Sequence, residues 1–248
     1  MDKSGKIFFA SDFHLGLKVG GDPAERERRV VKWLESVASE AAGIYLLGDI
    51  FDFWWEYRHV VPKGFTRFLG SVSAITDSGV PVYFFTGNHD MWVGDYLTAE
   101  CGITIHNGVM ERDFGGRRFL LAHGEGLGST EKGYKLLLWL FRNRAVRTAW
   151  SALHPRIGMG IGHRWSLGSR LGKGEHIAFL GEEKEDLLRF ARSVTAKREV
   201  DYFIFGHRHL PMTYTIDNKS RVVILGDWIG GSSWAVWDGA ELNLIVNR

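Results

Sequence analysis

Five short segments of the chain concentrate side chains able to hold a metal ion, and each follows an apolar run. They are Asp12-Phe13-His14, Gly48-Asp49, Gly87-Asn88-His89-Asp90, His123-Gly124 and Gly206-His207-Arg208-His209. The donors are carboxylates, imidazoles and an amide oxygen, with no thiolate. Such a set suits manganese, iron or zinc better than calcium, which prefers an all-oxygen shell. Asp12 and His14 are two residues apart, so in extended backbone they point to the same side. Glycines beside the donors let the backbone turn sharply and approach an ion. Each piece alone reads as a turn or a surface pair. Five of them, each at the end of an apolar run, are hard to explain as core or turn residues.

The elements that must position these groups are legible from periodicity. Ile7–Ala10, Ile44–Leu47 and Val82–Phe85 read as buried strands. Between the first two, Asp22-Pro23 supplies a cap and a proline at the first helical position. Val30, Leu34, Val37, Ala38 and Ala41 then fall on one helical face. Phe65, Phe68, Leu69, Val72 and Ile75 mark a second helix, closed by Ser78-Gly79. Strand–helix–strand–helix–strand implies right-handed crossovers and a parallel sheet. Ligand sites in such sheets form beyond the C-terminal strand ends, where Asp12, Asp49 and Asn88 stand. Further on, strands over 108–114 and Arg117–Ala122 flank Gly115-Gly116 and predict a hairpin. A helix over Glu182–Ala196 leads to a strand at Tyr202–Phe205, and Met212 to Val246 reads as an antiparallel meander.

Residues 125–185 break this pattern. Leu136 to Phe141 are apolar all round a helix, more than one buried face requires. Arg142, Arg144, Arg147, Arg156, Arg164, Arg170 and Lys173 follow with few acids between them. Two readings are open: the leucines pack on the sheet and the arginines are solvated, or the segment is a helical lid with a greasy, basic surface. Trp54, Trp55 and Trp92 either line a pocket or simply pack.

The 248 residues, 45% hydrophobic and 24% charged, fit a single domain over residues 1–248 with a helical insertion at 125–185. A net charge of +2 gives no argument for nucleic acid. The single cysteine, Cys101, cannot form an intrachain disulfide, which fits a reducing compartment. The N-terminus lacks the long apolar run of a signal peptide, and no stretch reaches the ~18–20 apolar residues of a membrane span. The expectation is a cytoplasmic protein.

The ordered motif set resembles the calcineurin-like metallophosphoesterase family, with its Asp-x-His, Gly-Asp-x-x-Asp, Gly-Asn-His-Asp, His-Gly and Gly-His-x-His motifs. The resemblance spans Asp12 to His209 and implies an α/β fold, a four-layer αββα sandwich with a helical lid insertion. It implies one ion held by Asp12, His14, Asp49 and His209, and a second held by Asp49, Asn88, His123 and His207. The two divalent ions, expected to be Mn2+ with iron or zinc as alternatives, would activate a water toward phosphorus. His89 would steady the transition state or protonate the leaving oxygen, with Asp52 holding its imidazole; a helix-start cap is the other reading of Asp52. Asp90 reads as a loop or cap residue rather than a ligand.

Within the family, Leu47-Gly48-Asp49-Ile50-Phe51-Asp52-Phe53-Trp54 and Asp77-Ser78-Gly79-Val80-Pro81-Val82-Tyr83-Phe84 resemble the pyrophosphatases of lipid A synthesis. That branch implies cleavage of a lipid-linked nucleotide diphosphate, with substrate contacts at Asn88, His89, Glu131, Arg164, Arg170 and Lys173. It also implies a peripheral place on the inner face of an anionic inner membrane, without nucleic acid or an obligate protein partner. His89 and Asp52 stand where the best-known of those enzymes has Arg and Glu. Another nucleotide diphosphate or phosphodiester is therefore the alternative substrate.

Overall fold

A computed structural model describes residues 5–128, 138–141, 143–171, 178–179 and 181–247. Two mixed sheets face each other. The first has six strands: β1 (Lys6–Ala10), β2 (Ala41–Leu47), β3 (Val82–Phe85), β4 (Thr104–His106), β10 (Ser232–Trp237) and β11 (Leu242–Asn247), in the order β11-β10-β1-β2-β3-β4. Strands β1 to β4 run parallel, and β10 and β11 add an antiparallel edge. The second sheet has β5 (Met110–Phe114), β6 (Arg117–Ala122), β7 (Tyr202–Phe205), β8 (Met212–Ile216) and β9 (Ser220–Ile224), in the order β5-β6-β7-β9-β8. Here β6, β7 and β9 are parallel.

Strand alternation builds the layers. Phe9, Tyr45, Leu47 and Phe85 point inward to meet Phe119, Leu121, Ile204 and Val223 of the second sheet. Their chain neighbours Phe8, Ile44, Leu46 and Phe84 point outward and are covered by α1 (Pro23–Ala38) and α2 (Thr66–Asp77) through Val30, Leu34, Phe68 and Val72. The outer face of the second sheet is covered by α6 (Asp186–Thr195), through Leu187, Leu188 and Ala191. The result is the expected αββα sandwich.

Caps explain where helices begin. Asp22 accepts a hydrogen bond from the Ala24 N–H, and Pro23 opens α1. Helix α2 has no cap of its own; Phe65 precedes it with φ 61°. Its first N–H groups are instead met by Glu27 of α1, whose carboxylate accepts from Arg67 and Phe68 at 3.0 and 3.1 Å.

The meander divides between sheets. The hairpin β8–β9 stays in the second, and β10–β11 returns to the first beside β1. Alternation tells which way a strand's side chains face, not which sheet receives it. The helix α3 (Tyr96–Cys101) and the edge strand β4 are too short to leave a periodic signal.

Within residues 125–185, α4 (Arg144–Ser151) and α5 (Pro155–Leu171) are described. Asn143 caps α4 by accepting from Ala145 and Val146. Helix α5 lies against the segment after β2 through small residues one turn apart. A Cβ on Gly158 would fall 2.2 Å from the Tyr57 hydroxyl, and one on Gly162 would fall 2.3 Å from the Phe53 ring. Both open readings of the insertion hold in part. Phe141, Trp150 and Trp165 pack on a cluster of Phe53, Trp55, Tyr57 and Trp92, whereas Trp139 is 62% exposed and Leu140, Ile157, Ile161 and Leu167 are also exposed. Trp54 is fully buried in the core.

Candidate metal centre

The metal-capable side chains sit just beyond the C-terminal ends of five parallel strands: β1, β2 and β3 of one sheet, β6 and β7 of the other. The chain turns abruptly there. Asp12, His14, Asp49, His207 and His209 all have φ between 46° and 67°. Left-handed backbone at non-glycine residues costs about 1 kcal/mol or more each and persists where surrounding contacts over-determine it. Those contacts are present. The N–H groups of Asp12 and His14 donate to the carbonyls of Gly48 and Asp49, both at 3.0 Å. The Gly206 N–H donates to the His123 carbonyl at 2.8 Å, and the His207 N–H to Asp12 Oδ2 at 3.0 Å. Buried Arg26 donates to the carbonyls of His14 and Leu17.

Two glycines are required by close approach. A Cβ on Gly87 would stand 2.2 Å from Asp49 Oδ1, and one on Gly48, whose φ is +85°, would stand 2.6 Å from His123 Nδ1. Each motif's glycine therefore makes room for another motif's donor.

The donors converge. Asp12, His14 and His209 form one cluster, and Asp49, His123 and His207 another; His14, Asp49 and His89 lie between them. Asp12 Oδ1 is 3.6 Å from His14 Nε2 and 3.4 Å from His209 Nε2. Asp49 Oδ2 is 3.8 Å from His14 Nε2 and 3.4 Å from His123 Nε2. Ligands about 2.1 Å from one ion stand roughly 3.0–3.4 Å apart, so this spacing fits a coordination shell. Asp12 Oδ1, Asn88 Oδ1 and His123 Nε2 are buried without a hydrogen-bond partner, an arrangement a cation would satisfy. Asp49 belongs to both groupings, as expected of a bridging carboxylate.

Three imidazoles are oriented alike. His123 Nδ1 donates to the Leu47 carbonyl at 2.7 Å, His209 Nδ1 to Asp227 Oδ2 at 2.8 Å, and His89 Nδ1 to the Asp52 carbonyl at 2.8 Å. A carbonyl can only accept, so Nδ1 carries the proton and Nε2 is left to face the cluster. Asp52 thus holds His89 through its main chain. Its carboxylate turns elsewhere, accepting from Ser166 Oγ at 2.8 Å. The expected link between the Asp52 carboxylate and His89 is replaced by this arrangement because Asp52 follows the tight turn at Asp49–Phe51, which aims its carbonyl at the His89 ring.

Charge in the metal-free pocket is polarised. Burial alone would raise the Asp49 carboxyl, but the imidazoles of His123, His89 and His14 outweigh it and hold it well below the usual carboxylate range. Burial would lower His123, yet Asp49 beside it holds the imidazolium well above its ordinary value. Asp12 is pushed up, chiefly by burial. Asp90 is pushed up to about 7 by burial and by neighbouring Asp49. It is a loop residue, as expected: its carboxylate accepts from the N–H groups of Gly87, Ile50 and Phe51, tying the β2 and β3 loops together.

Of the remaining site expectations, Arg164 lies exposed on α5 between His163 and Trp165. Glu131, Lys173 and the Arg170 side chain lie outside the described residues. A cavity of about 430 Å3 adjoins the cluster, lined by Thr86, Val109, His123, Leu127, Leu138 and Trp139 among others. Sequence reasoning passed over Asp227 and Ser166. Leu225-Gly226-Asp227 repeats the strand-Gly-Asp pattern of Leu47-Gly48-Asp49, a signal that could have flagged Asp227. Arg208, between two donors, points away and pairs with buried Glu185 at 2.8 and 3.0 Å.

A two-sheet sandwich with Asp and His donors gathered at the strand ends defines a metal-dependent phosphoesterase. The sequence profile of the calcineurin-like phosphoesterases matches residues 5–211, and the chain belongs to that family. It is 46% identical over 253 residues to the UDP-2,3-diacylglucosamine hydrolase of Porphyromonas gingivalis W83, covering 96% of each chain. It is 27% identical over 224 residues to the enzyme of the same name from Escherichia coli K12, covering 89% of this chain and 90% of that one.

Proposed function

We propose that the protein cleaves the diphosphate of UDP-2,3-diacylglucosamine, releasing UMP and 2,3-diacylglucosamine 1-phosphate. The observation that carries the substrate is the near full-length likeness to the P. gingivalis hydrolase; the donor cluster supports the reaction type. Asp12, His14, Asp49 and His209 would hold one divalent ion, and Asp49, Asn88, His123 and His207 the other, with manganese the expected metal. Such a pair supplies an activated water and positive charge opposite the phosphoryl oxygens. The chain's own residues do the rest. Asp49 fixes the separation of the two positions. Asp227 and the Leu47 carbonyl lock His209 and His123 so that Nε2 faces inward. His89 presents Nε2 3.9 Å from Asp49 Oδ2, where it can hydrogen-bond the phosphate oxygen that departs when the bridging P–O bond breaks.

The insertion supports a lipid-bearing substrate. Residues 138–171 contain no Asp or Glu but several arginines, and their exposed Trp139, Leu140, Ile157, Ile161 and Leu167 form an apolar, basic surface. Such a surface suits peripheral contact with an anionic membrane. Among the described residues no helix is long and apolar enough to cross one. We read the insertion as a lid within a single domain, with Arg164, Arg170, Lys173 and Glu131 as candidate substrate contacts and the cytoplasmic face of the inner membrane as its place of action. The test is incubation with UDP-2,3-diacylglucosamine and Mn2+. UMP release is expected. Its absence, with simple phosphodiesters cleaved quickly, would overturn the substrate.

A further inference from the structure

Helix α5 touches the segment after β2 at three successive turns, and the contacts run toward the metal cluster. Gly158 meets Tyr57, Gly162 meets Phe53, and Ser166 meets Asp52. The last contact is polar and shut away from water: Ser166 is 0% and Asp52 4% exposed. On either side of Ser166, His163 Nδ1 lies 4.0 Å from Asp52 Oδ2 and its ring 5.9 Å from Phe53, while the Trp165 ring is 6.1 Å from His89. Asp52 is therefore gripped from two sides. Its carboxylate receives the inserted helix, and its main-chain carbonyl receives His89 Nδ1 at 2.8 Å.

We propose that Ser166 is a positioning residue for His89: its hydrogen bond to the Asp52 carboxylate fixes the peptide whose carbonyl aims the His89 imidazole, so that docking of α5 sets the orientation of the catalytic histidine. The inference rests on the role given to His89 in the proposed reaction. The physical reason is rotational. The Asp52 carbonyl can direct the imidazole only while its own peptide plane is held. A free Asp52 side chain would let the segment between Phe51 and Phe53 rock, and the His89 Nε2 would swing with it. A misplacement of about 1 Å at a reacting group can cost two orders of magnitude in rate. Loss of an outer partner commonly costs 10- to 100-fold.

The test is a double-mutant cycle on the metal-loaded enzyme, read with UDP-2,3-diacylglucosamine and separately with bis(p-nitrophenyl) phosphate. Ser166→Ala is expected to lower kcat about tenfold on both substrates, with KM changed less than about twofold and bound metal unchanged. In a His89→Ala background, itself slower by about 100-fold or more, Ser166→Ala should cost nothing further. Asp52→Asn, which keeps an acceptor for the serine, should retain more kcat than Asp52→Ala. Additive losses in the His89→Ala background would overturn the coupling, because a merely structural role persists there. A loss confined to KM for the lipid substrate would overturn it too, marking Ser166 as a substrate contact. If only the simple ester is turned over, the substrate assignment fails while the cycle can still be read on that ester.

Discussion

The groups at this site are set by partners that lie one bond further out. His209 is the clearest case. Its Nδ1–H is held by Asp227 at 2.8 Å, which fixes the tautomer and raises the basicity of Nε2. Asp227→Asn is expected to weaken metal binding at the first position by about 10- to 100-fold, read as a rise in the Mn2+ concentration giving half-maximal activity, with kcat at saturating metal less affected. His123 makes a prediction about protons. In the metal-free protein its imidazolium is held well above the ordinary value by Asp49, so it is protonated at neutral pH. An ion arriving at Nε2 must displace that proton. Metal affinity should therefore rise with pH from the ordinary histidine range up through the raised value and level off above it. Titration calorimetry in buffers of different ionisation enthalpy should show net proton release; uptake would contradict the assignment.

At the level of elements, the parallel half of each sheet was legible because buried strands and amphipathic helices alternate there. Val82–Phe85 and Arg117–Ala122 fall where periodicity places them, as do all five donor motifs at strand ends. What escaped was contact between distant parts. The cap of α2 comes from Glu27, some 40 residues away, and no local pattern announces it. The same holds for Asp52, whose carboxylate is turned by Ser166 from a helix 114 residues on. Glu27→Ala should leave the first turn of α2 without acceptors and cost about 1–3 kcal/mol. A shift in the urea midpoint of the metal-loaded protein would measure it, with activity per folded molecule retained because α2 supplies no donor. The path of the final strands was hidden for another reason: β8–β9 and β10–β11 have similar local patterns, and only the turn through Gly226 to Trp228, where the Trp228 N–H donates to the Asp12 carbonyl, sends the second pair to the other sheet.

For the molecule as a whole, chelation is the informative perturbation. Removing bound ions should leave Asp12, Asn88 and His123 with buried, unsatisfied atoms and lower the melting temperature. The loss should grow with the logarithm of the free-metal concentration withdrawn. Thermal scans across a chelator-buffered Mn2+ series check this, and a melting point insensitive to metal would argue against occupancy.

Each proposed ion position draws on both halves of the sandwich: Asp12, His14, Asp49 and Asn88 hang from one sheet, His123, His207 and His209 from the other. The cations would then act as rivets across the rim of a clam shell whose interior is already shut by aromatic packing. Stripped of them, the shell can gape at that rim while its far edge stays closed. Ion exchange would accordingly keep time with this gaping rather than with the strength of any one bond, and deuterium uptake would quicken first at the tips of β1, β2, β6 and β7.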